Sequence, residues 1–440
     1  MSTSIPEAPA TTTRTPADAR REEANAKAAE RLCTAEPVLV DVRPAGAVVP
    51  GMTPTTILTS GAPLPWEAYT GGQRRAIVGA AVYEGLAADE ADAVRRLDAG
   101  AIQVSACHDH GCIGSVAGIY TASMPVFVVS DQRHGTTGFC NLYEGESRRR
   151  LCYGVYDDEV AHGLRFLETT AGPVLGAAVR AAGGIPLKPL MARALRMGDE
   201  LHSRNTAATT LFVKELTPRF VDLAASGAVD RAALQQTIAF LAGSDYSFLR
   251  LSMAAAKATA DAAHGVEHSS VMTAMTLSCR EFSIRVSGLP GMWFGGPHAV
   301  VEAKLFPPFT DDDIEWIGGE SCITETVGLG GFAQASAFAL QAYQGGSPQE
   351  MVAMNEAMYA ITVAEHPDYL VPFLGHRGTP VGVDVMKVLE TGVVPVIDGG
   401  LAGRDGVGQI GAGILKAPIE CFAAARDAYV ERYGPPAPPG

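Results

Sequence analysis

No apolar run in this chain reaches the roughly 20 residues that a membrane-spanning helix needs, because Gly, Pro or a charged residue interrupts each one early. A membrane is therefore not an expected partner. No basic block offsets the formal charge of −14, and the cationic run Arg148 to Arg150 is too short to track a phosphate backbone. Nucleic acid is excluded on the same ground. Cysteine is sparse, with eight residues scattered over 440, which points to reduced thiols in a cytoplasmic protein rather than a disulfide framework. The beginning lacks the apolar core of a secretory signal. Its Ser, Thr, Pro and Ala mixture to about Pro16 predicts a disordered leader, bounded at residue 22, and a Pro-rich tail over 431–440 predicts the same. Internal repeats are absent.

What remains is a globular composition, 47% hydrophobic with 48 glycines, and room for two or three domains. Short β-rich runs at Val38–Val42, Ile57–Thr59 and Met124–Ser130, with a helical pattern at Gln73–Gly85, predict an N-terminal α/β unit over 23–156. Apolar residues then recur at three and four, which predicts a helical subdomain over 157–264. Strand patterns return at Ser270–Met275, Glu281–Gly288 and Val393–Ile397, with helices around Phe332–Tyr343 and Pro348–Glu365. These predict a second α/β unit over 265–430. The fold class is α/β in the mixed, α+β sense: two α/β units with a helical subdomain between them.

The segment Ala192–Asn205 is dense in polar groups within an Ala-rich chain. Read as a helix, it places Arg196, Glu200 and Arg204 on one stripe and Asp199 beside His202, where the acid would orient the imidazole for proton transfer. Gly198 would interrupt that helix at a cost of about 1 kcal/mol, which suggests close approach by a ligand or another backbone. The catalytic candidates here are His202, Asp199 and Glu200, and the substrate-binding candidates are Arg193, Arg204 and Asn205. A solvated salt-bridge ladder is the ordinary alternative.

Strand Glu281–Gly288 alternates, so Arg285 and Ser287 share a face. The guanidinium could grip a carboxylate or phosphate, or form a structural ion pair. In Cys107–Cys112, His108 and His110 suit acid–base work or hydrogen bonding. A metal there is left open, since the ligands are too tightly spaced to complete a tetrahedral shell and no second pair follows at a convincing interval. The loop Glu325–Gly331, with Gly328, Gly330 and Gly331, leads into an apolar stretch whose amides could receive an anion. The run Gly406–Gly411, including Gln409 and Gly411, matches a dinucleotide fingerprint, but only about 30 residues follow it. That is too few for the helix and second strand the motif needs, so a glycine-rich turn close to substrate or a neighbouring unit is the better reading. No cofactor is demanded.

Taken together, Trp66–Glu67, Val82–Leu86, Cys107–Gly111, Ser123–Val129, Met197–His202, Ile284–Gly288, Glu325–Phe332 and Gly408–Gly413 run in order along most of the chain. They resemble the domain-of-unknown-function 1116 family, which includes the AllG/YlbE-like large subunit of oxamate carbamoyltransferase. The resemblance implies a mixed α/β architecture with a helical subdomain. It also implies carbamoyl exchange, oxamate and carbamoyl phosphate to or from oxalurate and phosphate, as in allantoin fermentation. The expected partners are a small anionic amide or ureido acid, phosphate or carbamoyl phosphate, and further subunits in a homodimer or hetero-oligomer. In such chemistry Arg285 with Arg193 or Arg204 would clamp anions, His202 or His108 would act as base, and glycine-loop amides would stabilise the oxyanion. These site assignments come from residue chemistry. An amide or ureido hydrolase, or a non-catalytic subunit of a larger complex, are the alternative functions.

Overall fold

The computed structural model describes residues 16–435. A helix over Pro16–Thr34 leads into strand β1 (Pro37–Pro44). Strand β2 (Thr56–Thr59) follows, and two helices, Gly71–Tyr83 and Glu90–Asp98, carry the chain to β3 (Gln103–Ala106). Asp89 starts the second helix by accepting the Asp92 amide at 2.7 Å. β2 and β3 pair in parallel, which requires such a crossover. β4 (Pro125–Asp131) and β5 (Thr137–Asn141) pair antiparallel. With β1 and the short β6 (Ile185–Pro186) they form a sheet of order β5-β4-β1-β6.

Helices dominate from Asp158 to Ala262. The last of them, Leu249–Ala262, is buried on nearly every side, which explains its Ala-rich sequence: small side chains let β4 and β5 pack directly on it. These helices do not stand apart. They share one core with the first helix and with β1, β4 and β5, through residues such as Leu32, Leu39, Phe127, Phe212 and Phe248.

Beyond them, β7 (Met272–Leu277), β8 (Phe282–Val286) and β9 (Phe294–Gly296) make one antiparallel sheet. β10 (Val300–Leu305), β13 (Val396–Ala402) and β14 (Gln409–Lys416) make another, of order β10-β14-β13. β11 (Thr362–Val371) and β12 (Arg377–Val383) form a two-stranded ribbon. The helix Ile419–Tyr433 closes the core beneath the first two of these sheets. The class is thus mixed α/β, built from several small sheets.

Several sequence expectations need correction. Residues 16–22 of the anticipated leader and 431–433 of the anticipated tail are helical; residues 1–15 and 436–440 lie outside the described chain. Phe332–Tyr343 is not one helix but two 3-10 turns and a single α turn, broken at Ala333 and Ala337, whose backbone angles are non-helical. The helix starting at Pro348 ends at Met358, and the residues from Thr362 are strand because their apolar side chains pair across to β12. Finally, β8 is buried on both faces as a central strand, so the alternation read there does not divide a core face from an open one, and Arg285 is 9% exposed.

Gly138 measures how tightly the long buried helix sits on β5. A Cβ there would overlap the Ala254 carbonyl oxygen and come within 2.8 Å of the Ala258 amide nitrogen, whereas one at Gly163 would meet nothing within 4 Å. Gly138→Ala is therefore expected to destabilise by about 1–3 kcal/mol through overpacking. Gly163→Ala, inside the helix Asp158–Phe166, is expected to stabilise by about 0.5–1 kcal/mol. Thermal unfolding of the two variants checks this, and equal shifts would contradict the packing described.

Candidate functional site

The segment expected to be a polar helix is a loop between helices. The helix Leu187–Leu195 ends, and Gly198 at φ +101° and Leu201 at φ +73° turn the chain back before a helix starts at Thr206. Nothing approaches within 4 Å of a Cβ built on Gly198, so the glycine serves the left-handed backbone and not a close contact. The predicted stripe of Arg196, Glu200 and Arg204 does not form. Instead the acids hold the loop's own backbone. Asp199 accepts the Ala208 amide at 2.8 Å in the first turn of the next helix. Glu200 accepts the amides of His202 at 3.2 Å, Arg204 at 2.9 Å, and Ser203. Asn205 donates to the His202 carbonyl at 2.8 Å.

His202 is oriented by Glu325 and not by Asp199. Its Nδ1 lies 2.8 Å from Glu325 Oε1. The same oxygen accepts the amides of Gly331 at 3.0 Å and Asp398 at 3.1 Å, while Oε2 accepts the Thr324 hydroxyl at 2.9 Å. The amide of Gly331 in the glycine loop thus receives a carboxylate of the protein itself. Gly330 donates to the Glu200 carbonyl at 2.7 Å, and a Cβ there would overlap Glu325. Gly331 packs on the Val396 carbonyl, and Gly328 on Thr379. Burial disfavours a charged His202, but the Glu325 carboxylate, with Asp398 beyond it, outweighs that and raises its pKa. Burial and Glu325 push Asp398 up to about 6. Burial and Asp398 likewise hold Glu200 well above the usual carboxylate range, so these two neighbouring carboxyls favour sharing a proton.

His202 faces a cavity of about 450 Å³. Arg204, Asn205 and Gln409 also line it, together with Arg148, Arg150 and Arg250. Arg250 is 2% exposed and Arg150 8% exposed. Arg250 Nη1 donates to Asn141 at 2.9 Å, and Arg150 lies over the rings of Tyr143 and Tyr153 at 5.3 and 4.7 Å. Both leave a buried Nε without a partner, and among the described residues neither forms an ion pair with a carboxylate. The Glu144 carboxylate acts on both through space without a direct ion pair, so burial of the two permanent charges is only partly offset, and an entering anion relieves part of the remaining cost.

The remaining candidates lie elsewhere. Arg285 and His108 belong to a second buried cluster. Arg285 Nη2 is 2.5 Å from Asp261 Oδ1, whose other oxygen is 2.8 Å from Lys257 Nζ. Lys257 is in turn 3.1 Å from His108 Nδ1. Burial, then Lys257 and Arg285, depress the His108 pKa, so its imidazole stays neutral. Arg285 is thus an internal ion pair and does not line the cavity. His110 is tied to the Pro50 carbonyl at 2.7 Å and to the Ser105 hydroxyl at 2.8 Å. Ser287 bridges the Ala263 carbonyl and the Val266 amide. Arg193 is exposed on its helix. Gly411 lies in β14, against Leu305, in a hairpin rather than a nucleotide loop. Among the described residues no group of three His, Cys, Asp or Glu side chains is placed to hold a metal ion.

Sequence reasoning missed Arg150, Arg250 and Asp398. Arg250 carried a signal: it and Lys257 are lone cations seven residues apart, hence on one face, in an otherwise Ala-rich helix.

The family described as oxamate carbamoyltransferase subunit AllG matches residues 102–321. Uncharacterized protein YahG of Escherichia coli K12 is 41% identical over 93% of this chain and 86% of its own length. The oxamate carbamoyltransferase subunit AllG of the same organism is 36% identical over 94% of this chain and 98% of its own. A crystal structure of a conserved protein of unknown function from Enterococcus faecalis V583 superposes with a TM-score of 0.90, at 40% identity, covering 94% of this chain and 98% of that one.

The His202–Glu325 pair makes a pH-dependent prediction. A folded pKa above the unfolded value, about 6.5, means the pair adds stability that is fully present below the unfolded value and lost as pH rises through the folded one. In Glu325→Gln, Asp398 alone is left to oppose burial, so the His202 titration followed by NMR should move downward. An unchanged titration would remove Glu325 as the cause.

Proposed function

The chain belongs to the family of the oxamate carbamoyltransferase subunit AllG, and from that membership and the cavity we propose that it acts in carbamoyl transfer between phosphate and a small amide acid such as oxamate. The observation that carries this reading is the pair of buried guanidiniums without a direct ion pair among the described residues, Arg150 and Arg250, in the wall of a cavity that also holds a carboxylate-oriented histidine. Dianionic phosphate, or the phosphoryl end of carbamoyl phosphate, supplies the direct ion pair they lack, and a guanidinium matches its geometry.

His202 supplies the proton chemistry. With its Nδ1 fixed on Glu325, Nε2 is the ring nitrogen left for the cavity. A raised pKa favours the imidazolium, which suits it to protonate the amide nitrogen that departs when phosphate attacks oxalurate. In the opposite direction the neutral imidazole takes that proton back. Glu325 is a positioning residue: it fixes the tautomer and stabilises the cation. The relative AllG is named as a subunit, which supports further subunits as partners of this chain too.

Calorimetric titration with inorganic phosphate tests the site. Arg250→Gln removes a charge-assisted hydrogen-bond donor worth about 1.5–3 kcal/mol, so affinity should fall by roughly 10- to 100-fold. Affinity unchanged in the variant would refute the assignment. Incubation with oxalurate completes the test. Carbamoyl phosphate and oxamate formed only with phosphate support transfer, and cleavage without phosphate would indicate a hydrolase instead. Binding without turnover would place the chemistry in a complex with partner subunits.

A further inference from the structure

We infer that β10 is a self-complementary edge through which two copies of this chain pair, joining their β10-β14-β13 sheets into one antiparallel sheet about a twofold axis at Ala303.

β10 and β13 are the two edges of a three-stranded sheet. β13 is buried along nearly all its length, whereas β10 is exposed at four positions and half-buried at the other two. Val300 in β10 is 60% exposed, one of the few large apolar side chains left in water among the described residues.

The direction of the backbone groups follows from the register. The amide of Phe306 donates to the Ile410 carbonyl at 2.7 Å, in line with the pairing of Lys304 with Ala412. Even-numbered residues of β10 therefore turn their amides and carbonyls towards β14. Val301, Ala303 and Leu305 turn theirs outward, and no other segment among the described residues bonds to them. Such an unpaired row is a template for a further strand.

The side chains choose which strand that is. When two copies pair antiparallel about an axis normal to the sheet, directly opposed residues share a face, so only registers that step by two are allowed. With Ala303 opposite itself, Glu302 stands opposite Lys304 of the second copy, Val301 opposite Leu305, and Val300 opposite Phe306. The outward amides and carbonyls of each strand then meet those of the other. Slipping one strand by two residues in either direction sets Glu302 against Glu302 or Lys304 against Lys304, and like charges directly opposed disfavour pairing. Charge on an edge usually repels added strands. Here opposite signs two residues apart make the edge match itself.

The charges of β10 are available for this. Lys304 Nζ donates to the Ala342 carbonyl at 2.9 Å, and among the described residues no carboxylate is within ion-pair reach of it. Glu302 uses one oxygen on Lys416 at 2.6 Å, and its side chain is 57% exposed. The small side chain of Ala303 leaves the strands free to approach at the axis. Pro297 and Pro307 flank the strand, and because proline does not extend a ladder the paired stretch is confined to β10 and Phe306.

Sedimentation velocity of the full chain over a wide range of concentration is the test. A dimer of twice the 45.9 kDa chain mass is expected. Ala303→Pro removes the amide at the axis, which points away from β14, so it should give a monomer with an unaltered circular-dichroism spectrum. Lys304→Glu and Glu302→Lys each oppose like charges at both symmetry-related positions, and each alone should raise the dimer dissociation constant about tenfold. Mixed together, the two charge variants oppose every acid with a base, so the mixture should regain a dimer with one chain of each. A monomer of the unaltered chain at every concentration would overturn the inference. So would a dimer that survives all three substitutions, which would place the interface elsewhere. Charge variants that stay monomeric when mixed would equally exclude the pairing of β10 with itself.

Discussion

The carboxylate of Glu325 is the point on which the site depends. It receives the His202 ring from the loop after one helix, the Gly331 amide from its own glycine loop, and the Asp398 amide from β13. Three pieces of chain far apart in sequence are thereby fixed to one pair of oxygens. A fully buried carboxylate is costly unless its lone pairs are met, and the amide, hydroxyl and imidazole donors here meet them. The geometry of His202 follows from that constraint. So do the glycines, whose missing side chains let the backbone come close to Glu325 and to β13.

The molecule treats buried charge in two contrasting ways. In the cluster of Lys257, Asp261, Arg285 and His108, each cation has an anion, and the histidine is held neutral by burial and the nearby cations. Such a network ties the helix Leu249–Ala262 to β8 and to the turn after β3. It resembles a structural core in which both cations share the Asp261 carboxylate, although Arg285 Nε and His108 Nε2 lack a hydrogen-bond partner. Seven residues earlier on the same helix, Arg250 has an amide oxygen and no direct ion pair, with Glu144 acting on it only through space. The helix therefore carries a settled charge cluster at one end and an unsettled one at the other. Only the unsettled one lines a cavity. This contrast, more than the number of polar residues, separates groups that hold the fold from groups that await a ligand.

Much of the fold was legible in the sequence. The strand runs at β1, β2, β4, β7 and β8 and the helix beginning near Gly71 stand close to where periodicity put them, because each buries its apolar face within a few residues of its own pattern. The density of polar groups in 199–205 also marked a segment of which His202 to Asn205 line the cavity, although it read as a helix. Periodicity could not show that the pattern there is a turn. Glycine and leucine in left-handed conformations, with acids bonded to backbone amides, give the same residue spacing as a charged helix face.

Sequence by itself determined the class of the fold, the polarity of the surface and the identity of the groups available for chemistry, since these depend on composition and on local patterns a few residues long. Tertiary structure alone decided which groups meet. His202 finds Glu325 across 123 positions, and Arg285 is neutralised by Asp261 across 24. Arg250 is brought to a cavity without a direct ion pair among the described residues. The charge state and availability of an ionisable side chain are set by what stands within a few ångströms of it in space, and that neighbourhood is assembled from segments whose separation along the chain carries no record of the encounter.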